Sequence, residues 1–330
     1  MLAFAFSRAL QAIPVVLVVG LIAFALFAYV GDPVLIMLGQ EHTEAQRKLL
    51  VEQLGLDQPF YVQYVRYIWA VLHGQLGISY SFGRPVAQLI AGRLPATLEL
   101  ASVAAVFAVI AAIPLGLFSA IRPRNLLSRG ILLVSLLGVS APTFMIGLLL
   151  ILGFSVALGW FPSFGRGQVV QVGRWWTTGL LTGSGLRAIV LPALTLGSVQ
   201  MSFIVRLMRA EIIRALQADY IRFARARGLP ERSLYCVHVC RNALLPVVTA
   251  AGLQLGNVLA FSVVTETVFQ WPGLGLLFIS AVRGADIPVM SAYLMLAGLG
   301  FVAINLSVDL AYHAIDPRLR IPHLGASSES

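Results

Sequence analysis

Charged residues are scarce in this chain. Only 11% of its 330 residues are Asp, Glu, Lys or Arg, whereas 58% are hydrophobic. Soluble domains carry about a quarter charged residues. The scarcity therefore excludes an ordinary soluble protein and predicts that most of the chain lies in a membrane.

Lysine is almost absent, and this excludes one kind of chemistry. Lys48 is the only lysine, and no Gly-x-x-x-x-Gly-Lys run contains it. A phosphate-binding P-loop needs a lysine beside backbone amides of a Gly-rich turn. We therefore predict that the chain is not an ATPase of this kind and carries no cofactor of its own.

Cysteine is equally scarce. Cys236 and Cys240 are the only two, and both fall in a predicted cytosolic loop, so no disulfide framework is expected. The net charge of +9 could indicate nucleic-acid binding. The basic residues are scattered between hydrophobic runs, however, so membrane topology explains them better and no nucleic-acid partner is predicted.

Long hydrophobic runs are what the chain has in abundance. A helix needs roughly 20 apolar residues to cross the hydrocarbon core, and lipid leaves helices as the natural form for such runs. Six runs qualify, at about 9–30, 96–120, 130–158, 189–208, 243–268 and 288–312. We therefore predict an all-α, polytopic membrane protein with six transmembrane helices.

The arginines predict its orientation. If both termini lie in the cytosol, fourteen basic residues fall on short inner segments: Arg8, Arg122, Arg124, Arg129, Arg206, Arg209, Arg214, Arg222, Arg225, Arg227, Arg232, Arg241, Arg318 and Arg320. The other nine basic residues are spread over longer outer loops. This bias favours an N-in, C-in topology. It places the loop 31–95, with its tyrosines and Trp69, outside as a folded cap at the membrane interface.

The segment between the fourth and fifth runs predicts a docking element. Residues 218–227 read as a short helix, Gly228 suits its C-terminus, and Pro230 suits the start of a second helix. We expect the exposed face carrying Ala224 and Ala226 to be narrow enough to enter a groove on a partner. The plain alternative is a basic loop that only follows the inside-positive bias.

The same segment resembles the coupling loop of ATP-binding-cassette (ABC) importer permeases. The resemblance rests on Asp219, Ala224, Arg225, Ala226, Arg227, Gly228 and Leu229, with Pro246 about eighteen residues downstream. Further motifs similar to the dipeptide, oligopeptide and nickel branch are Gly31-Asp32-Pro33, Leu54-Gly55-Leu56-Asp57, Arg93-Leu94-Pro95-Ala96-Thr97-Leu98-Glu99-Leu100, Ser140-Ala141-Pro142-Thr143-Phe144, Trp271-Pro272-Gly273-Leu274-Gly275 and Asp316-Pro317-Arg318. They cover nearly the whole chain.

This resemblance implies a fold and a set of partners. The fold would be that of type I importer permeases, in the bacterial inner membrane. The partners would be a second homologous permease, two ATPase subunits that hold ATP and Mg²⁺, and an extracytoplasmic binding protein that delivers a peptide or other small solute. The implied division is an anchor helix 1–30, an outer loop 31–95, a five-helix core 96–312 with the coupling loop 209–245, and a cytosolic tail 313–330.

Three residues are candidates for the pore or its gate. Ser140 and Pro142 stand within the third run, where proline predicts a kink. Glu266 is an ionisable residue near the outer end of the fifth run, where such a residue often signals function. We expect it either to serve the pore or to pair with Arg187 or Arg283.

Three other interpretations stay open at this stage. An ion-gradient-driven secondary transporter would need charged groups within its spans, and few are found here. Cys236, His238 and Cys240 could bind a metal, but His238 would point away from the cysteines on a helix. Ser140 with His313 could form a membrane hydrolase, but a nucleophilic serine requires a base within hydrogen-bond reach.

Overall fold

A computed structural model describes residues 2–29, 43–54, 57–173 and 175–315. Three predicted features fall at least partly outside these ranges: the loop motif Gly31-Asp32-Pro33, Gly55 and Leu56 of the second loop motif, and residues 316–330 of the expected tail 313–330. The described helices are α1 Leu2–Tyr29, α2 Glu44–Leu54, α3 Phe60–Leu72, α4 Val86–Ile121, α5 Leu126–Ser140, α6 Thr143–Leu150, α7 Gly183–Leu216, α8 Asp219–Ala226, α9 Glu231–Ser233, α10 Cys240–Leu253, α11 Leu255–Val268, α12 Leu274–Arg283 and α13 Ile287–Ile315.

The all-α prediction is confirmed, whereas the count of six spans is not matched in full. Four helical stretches are long and apolar enough to cross a membrane by themselves: Val86–Ile121, Gly183–Leu216, Glu231–Val258 and Ile287–Val308. The third of these includes the π-helix Leu234–Val239, which joins α9 to α10. A bent pair, α5 with α6 and the π-helix Ile151–Ala157 that continues α6, brings the number to five. The N-terminal α1 contributes a shorter apolar stretch, Ile13–Ala25. A small antiparallel hairpin, β1 Val170–Val172 with β2 Trp176–Thr178, was not predicted.

The third predicted span, 130–158, is not one straight helix. Its two halves are bent by 118° at the break between Ser140 and Thr143. Ala141 has extended dihedrals (φ −81°, ψ 136°), as expected for a residue that precedes proline. Pro142 is extended as well (φ −58°, ψ 136°). Two consecutive extended residues turn the chain far more than a proline inside a continuous helix does.

The helices α4 and α7 form the centre of the molecule. They share the most extensive helix–helix interface among the described elements. Their backbones approach closely at glycines: a Cβ on Gly116 would lie 2.7 Å from the Cβ of Met208, and one on Gly197 would lie 2.8 Å from the carbonyl oxygen of Ala104. Without a hydrophobic force between helices in lipid, such small residues provide the packing contacts.

The helix α1 packs on the last helix, α13, at the edge of this centre. A Cβ on Gly298 would lie 2.6 Å from a methyl group of Val19, so the two helices touch closely there. From the outer loop, α3 also packs on α1: the rings of Phe24 and Phe60 are 5.1 Å apart, and the Tyr64 hydroxyl donates to the Leu17 carbonyl at 2.7 Å. The aromatic helix of the expected cap therefore extends down along α1.

Candidate functional site

The helix α7 has functional candidates at both of its ends. At its C-terminal end, Gln217 and Ala218 lead directly into the short helix α8. At its N-terminal end, the β-hairpin, the start of α4 and the segment between α11 and α12 come together. We refer to these two regions as the coupling end and the carboxylate end.

One buried face fixes α8 at the coupling end. Ile221 is fully buried and packs in a cluster with Met208, Ile212, Leu234 and Val239. The opposite face is exposed, including Phe223, which is 63% exposed. The inner side of α8 is therefore packed against the protein, and its outer side is exposed to solvent.

A side-chain hydrogen bond also ties α8 to the following span. The Asn242 amide nitrogen of α10 donates to the Tyr220 hydroxyl at 2.7 Å. The sequence alone did not assign a role to either residue. This contact and the buried cluster together join α8 to α10.

Gly228 ends α8 as predicted. Its φ of +77° lies in the left-handed region, and its N–H donates to the Arg225 carbonyl at 3.0 Å. A Cβ at this position would meet open space within 4 Å. Glycine is therefore favoured here by the backbone conformation and not by a neighbouring group of this chain.

The predicted surface residues divide into exposed and inward-facing ones. The exposed ones are Asp219, Arg225, Ala226, Arg227, Gly228 and Leu229. Ala224 instead packs against the buried cluster, so the predicted face with both alanines exposed was wrong. The reason is geometric: residues two apart on a helix point in nearly opposite directions.

One aromatic side chain and several basic ones dominate the exposed face of α8. The Arg227 guanidinium lies 5.2 Å from the centre of the Phe223 ring, a cation–π arrangement. Arg225 is exposed and forms no ion pair with the described acidic residues. Arg222 and Asp219 lie 3.6 Å apart and are both largely exposed. The face is therefore basic and partly apolar.

Pro246 and the two cysteines follow α8 along the chain. Pro246 lies inside α10, which continues to Leu253. Cys236 is exposed whereas Cys240 is buried in the cluster, so the two do not present one shared face. Among the residues that the structure describes, no group of three or more metal-ligand side chains comes together.

At the carboxylate end, Glu99 and Arg166 form a buried ion pair. Their side chains are 3% and 6% exposed. Glu99 also accepts from the Gly179 N–H at 3.0 Å, and Arg166 donates to the Thr177 carbonyl at 2.7 Å. The pair thus fastens the hairpin loop onto the start of α4.

Glu266 holds the start of α12, and it forms no ion pair with any arginine in the described part of the chain. Its carboxylate accepts from the N–H groups of Gly275 and Leu276 at 2.7 and 3.1 Å, and from the Thr97 hydroxyl at 2.7 Å. A carboxylate at this point satisfies unpaired N–H groups and complements the positive end of the helix dipole. The expected pairing with Arg187 or Arg283 was wrong.

The glycines of the Trp-Pro-Gly-Leu-Gly motif make this arrangement possible. A Cβ on Gly273 would lie 2.4 Å from the Glu266 carboxyl carbon, and one on Gly275 would lie 2.5 Å from the Cα of Val263. The Trp271 indole N–H donates to the Ala96 carbonyl at 2.9 Å. The motif therefore packs α12 and α11 onto α4.

Asp286 is a third buried carboxylate, which sequence reasoning missed. It is fully buried before α13 and accepts from the N–H groups of Tyr80 and Ser81 at 3.2 and 3.1 Å, and from the Ser79 hydroxyl. It thereby fastens the segment before α4 to the α12–α13 turn. An acidic residue beside apolar runs was the available signal, but its partners lie about 200 positions away.

Ser140 and Pro142 are both exposed at the bend between α5 and α6. Their neighbours Val139 and Thr143 line a cavity against α7 and α11. The structure thus brings the bend to the wall of a cavity. It does not bring Glu266 there, since that side chain is buried at the carboxylate end. The His313 side chain lies outside the described part of the chain.

Comparison with known proteins decides the family. Residues 112–321 match the family described as the inner membrane component of binding-protein-dependent transport systems, and residues 1–101 match the N-terminal part of such components. The chain belongs to this family. Members of the family are permease subunits of ABC importers, so this permease is a pore subunit and not the ATPase. Nothing in the comparisons favours a secondary transporter.

Curated relatives match this permease over nearly their whole length. The dipeptide transport system permease protein of Escherichia coli (strain K12) is 37% identical over 97% of this chain and 99% of its own. The oligopeptide transport system permease protein of Bacillus subtilis (strain 168) is 36% identical, with the same coverage. A crystal structure of an amino acid ABC transporter with histidines covers 70% of this chain and 94% of its own, with a TM-score of 0.48 and 15% identity, too low to support an argument.

Proposed function

We propose that this permease forms half of the pore of an ATP-driven importer for short peptides or related small solutes. A second homologous permease completes the pore, and two ATPase subunits bind ATP and Mg²⁺. An extracytoplasmic binding protein delivers the substrate. The peptide substrate is supported by the names of relatives that match 97% of this chain.

The geometry of α8 is the observation that carries the coupling role. Ile221 fixes the helix from within, while Phe223, Arg225 and Arg227 are exposed on a basic, partly apolar face. A helix that is held on one face and exposes such a surface on the other suits a groove on a partner. We assign ATPase docking to Asp219, Arg225, Ala226, Arg227, Gly228 and Leu229, with Ala224 and Pro246 in supporting positions.

The orientation and division of the chain follow from this assignment. The coupling end lies in the cytosol, together with both termini, and the carboxylate end lies outside the bacterial inner membrane. The anchor is 1–30, the outer loop 31–95, the core 96–312 with the coupling loop 209–245, and the tail 313–330. The inside-positive distribution of arginines supports this placement.

Gating is assigned to the bend at Ser140 and Pro142. The 118° bend separates α5 from α6 and lies beside a cavity, so a small change in it would move the cavity wall. Glu266 takes part indirectly, because it holds α12 on α11 at the opposite end of α7. Alternating access of this kind requires two arrangements of helices around one central site.

The decisive experiment is purification of the tagged permease from its native membrane in mild detergent, followed by mass spectrometry. A P-loop ATPase and a second permease are expected to co-purify. In Gly228→Leu the ATPase is expected to be lost and uptake to fall at least tenfold, because leucine costs about 1–2 kcal/mol in the left-handed region and alters the docking surface.

Gly74→Leu is the matched control. Gly74 follows α3 as Gly228 follows α8: its φ is +72°, its N–H donates to the third residue back, and a Cβ there would also meet open space. Gly74→Leu is expected to retain the ATPase. Loss of the ATPase from both variants, or from neither, contradicts the docking assignment. A permease that purifies alone and moves solute down an ion gradient contradicts the proposed function.

A further inference from the structure

A cavity of about 190 Å³ lies where α7, α11 and the α5–α6 bend meet. Most of its lining is apolar, as expected for spans of this chain. Four amide or basic side chains interrupt that lining: Gln200, Arg206, Gln254 and Asn257. Polar groups within transmembrane helices are costly, and they typically face an internal or water-filled space. The cluster therefore marks the side of the permease that does not face lipid.

The three amides are connected to each other. Gln200 Nε2 donates to the Gln254 backbone carbonyl at 3.0 Å, and the Asn257 amide donates to the Gln254 side-chain oxygen. These contacts fix the position of the group at the one-residue junction between α10 and α11. Each side-chain amide has two donor hydrogens and an acceptor oxygen, so these bonds leave capacity for a ligand.

Arg206 adds one positive charge at the edge of the same cavity. It is exposed and lies six residues after Gln200 on α7, about 9 Å along the helix axis. This spacing places one guanidinium within reach of the end of a short molecule whose middle lies at the amides.

The cavity is smaller than a complete small-molecule binding site. Its 190 Å³ falls below the roughly 300–1,000 Å³ of complete small-molecule sites. On one wall, Val139 and Thr143 stand on either side of the 118° bend. A second permease placed against this face would enclose a larger volume, as a complete site requires.

We propose that Gln200, Gln254 and Asn257 contact the peptide bonds of a short peptide in transit, and that Arg206 binds its terminal carboxylate. Side-chain amides pair with backbone amides regardless of the peptide's side chains, which gives broad selectivity. Guanidinium suits a carboxylate through paired, charge-assisted hydrogen bonds. This inference rests on the proposed function and adds to it the substrate class and its contacts.

The lining argues against a bare metal cation as the cargo at this point. None of the described lining residues is a carboxylate, an imidazole or a thiol, which are the groups that bind transition-metal ions. Its only charged member is an arginine, which repels a cation. A peptide with a free carboxylate therefore fits the cavity better than Ni²⁺ does.

The test uses the complete importer, with its ATPases and binding protein, in proteoliposomes. The probes are labelled alanyl-alanine and its C-terminal amide. Asn257→Leu is expected to lower uptake of both about tenfold through loss of hydrogen bonds. Arg206→Gln is expected to lower the ratio of acid to amide uptake about tenfold. The binding protein can itself prefer the acid or the amide. Such a preference does not affect the comparison, because wild type and Arg206→Gln are measured with the same binding protein.

Two variants and one activity serve as controls. Thr249→Val removes a hydroxyl on α10 away from the cavity, and Arg124→Gln removes an exposed arginine between α4 and α5. Both are expected to retain uptake within about twofold, since substitutions away from special sites have small effects. ATP hydrolysis stimulated by the binding protein is expected to persist in Asn257→Leu, which shows that the complex is assembled.

The possible failures are distinguishable. Uptake by Asn257→Leu equal to that of Thr249→Val, or an unchanged acid-to-amide ratio in Arg206→Gln, overturns this site while the importer assignment stands. A wild-type importer that moves Ni²⁺ but not alanyl-alanine overturns both the site and the peptide assignment.

Discussion

The two ends of α7 hold neighbouring elements by opposite means. At the carboxylate end, Glu99, Glu266 and Asp286 are each at least 96% buried and accept hydrogen bonds from segments distant in sequence. At the coupling end, buried apolar residues anchor α8, and its charged residues are exposed. One end places its charges inside the molecule, and the other places them at the surface.

This difference predicts two classes of variant. A buried charge that loses its partner costs far more than an exposed one, because it has given up its hydration. Changes at the carboxylate end should therefore lower the stability of the permease. Changes at the coupling end should leave its stability nearly unchanged and weaken its association with a partner.

The largest expected loss of stability is from Arg166→Met. The change leaves Glu99 buried without its ion-pair partner, which costs about 3–5 kcal/mol. Thermal unfolding of the purified permease in detergent measures the effect. The double variant Glu99→Leu/Arg166→Met is expected to recover much of the loss, because no unpaired charge remains.

Arg214→Met supplies the matched comparison at the coupling end. Arg214 pairs with Glu211 at 3.0 Å, but its side chain is 76% exposed. Its loss is expected to cost less than about 1 kcal/mol. Equal destabilisation by Arg166→Met and Arg214→Met would show that burial does not separate the two ends.

The sequence predicted features that depend on local chemistry. A helical crossing requires about 20 apolar residues, so the spans around α4, α7 and α13 could be recognised from composition. Gly228 could be recognised because a helix that ends in a left-handed residue favours glycine. The polar segment around α8 could be recognised because it lies between two apolar runs, whereas its docking role rests on a resemblance and stays a prediction.

Features that depend on distant contacts could not be predicted. Glu266 meets Thr97, and Asp286 meets Ser79, across 169 and 207 positions. An acidic residue in an apolar run indicates that a partner exists, but the sequence does not say which one. Arg187 or Arg283 was an incorrect choice of partner for Glu266. Its partners include backbone N–H groups at the start of α12, and the residue types in a sequence do not reveal such backbone donors.

A kink at Pro142 was predicted, but its size of 118° was not. Proline indicates a kink, because it removes one hydrogen bond and clashes with the preceding turn. The 118° change of direction also requires Ala141 to be extended. Proline disfavours the helical conformation for the residue before it, so Ala141 and Pro142 together produce the bend. Gly138, just before the bend, also packs closely against Ser202 of α7.

A smaller loss of stability is expected from Asp286→Asn. The NH2 group that replaces one carboxylate oxygen cannot accept hydrogen bonds, so donors among Ser79, Tyr80 and Ser81 lose their acceptor. Leaving buried donors unpaired costs about 1–3 kcal/mol. The measurement is again thermal unfolding in detergent.

Asp219→Asn is the same chemical change at the coupling end. Asp219 is 98% exposed, and its contact with Arg222 spans 3.6 Å. We expect a stability change within about 0.5 kcal/mol. Should Asp219→Asn destabilise the permease as much as Asp286→Asn, α8 would depend on its exposed charges and not on Ile221.

A small loss of stability, together with weaker binding to a partner, is expected from Arg225→Glu/Arg227→Glu. Both side chains are exposed, so unfolding of the permease alone should change by less than about 1 kcal/mol. Association with the ATPase should weaken, because two positive charges at the docking face become negative.

The salt dependence of ATPase association tests whether Arg225 and Arg227 dock the ATPase or only orient the permease in the membrane. Exposed charges are screened over about 10 Å at 0.1 M salt and about 3 Å at 1 M. The wild-type complex should therefore weaken as salt increases, and the difference between wild type and variant should shrink. Equal association of both proteins with the ATPase at every salt concentration would mean that Arg225 and Arg227 serve membrane orientation only. The coupling end would then bind its partner through the apolar part of the face, around Phe223 and Leu229.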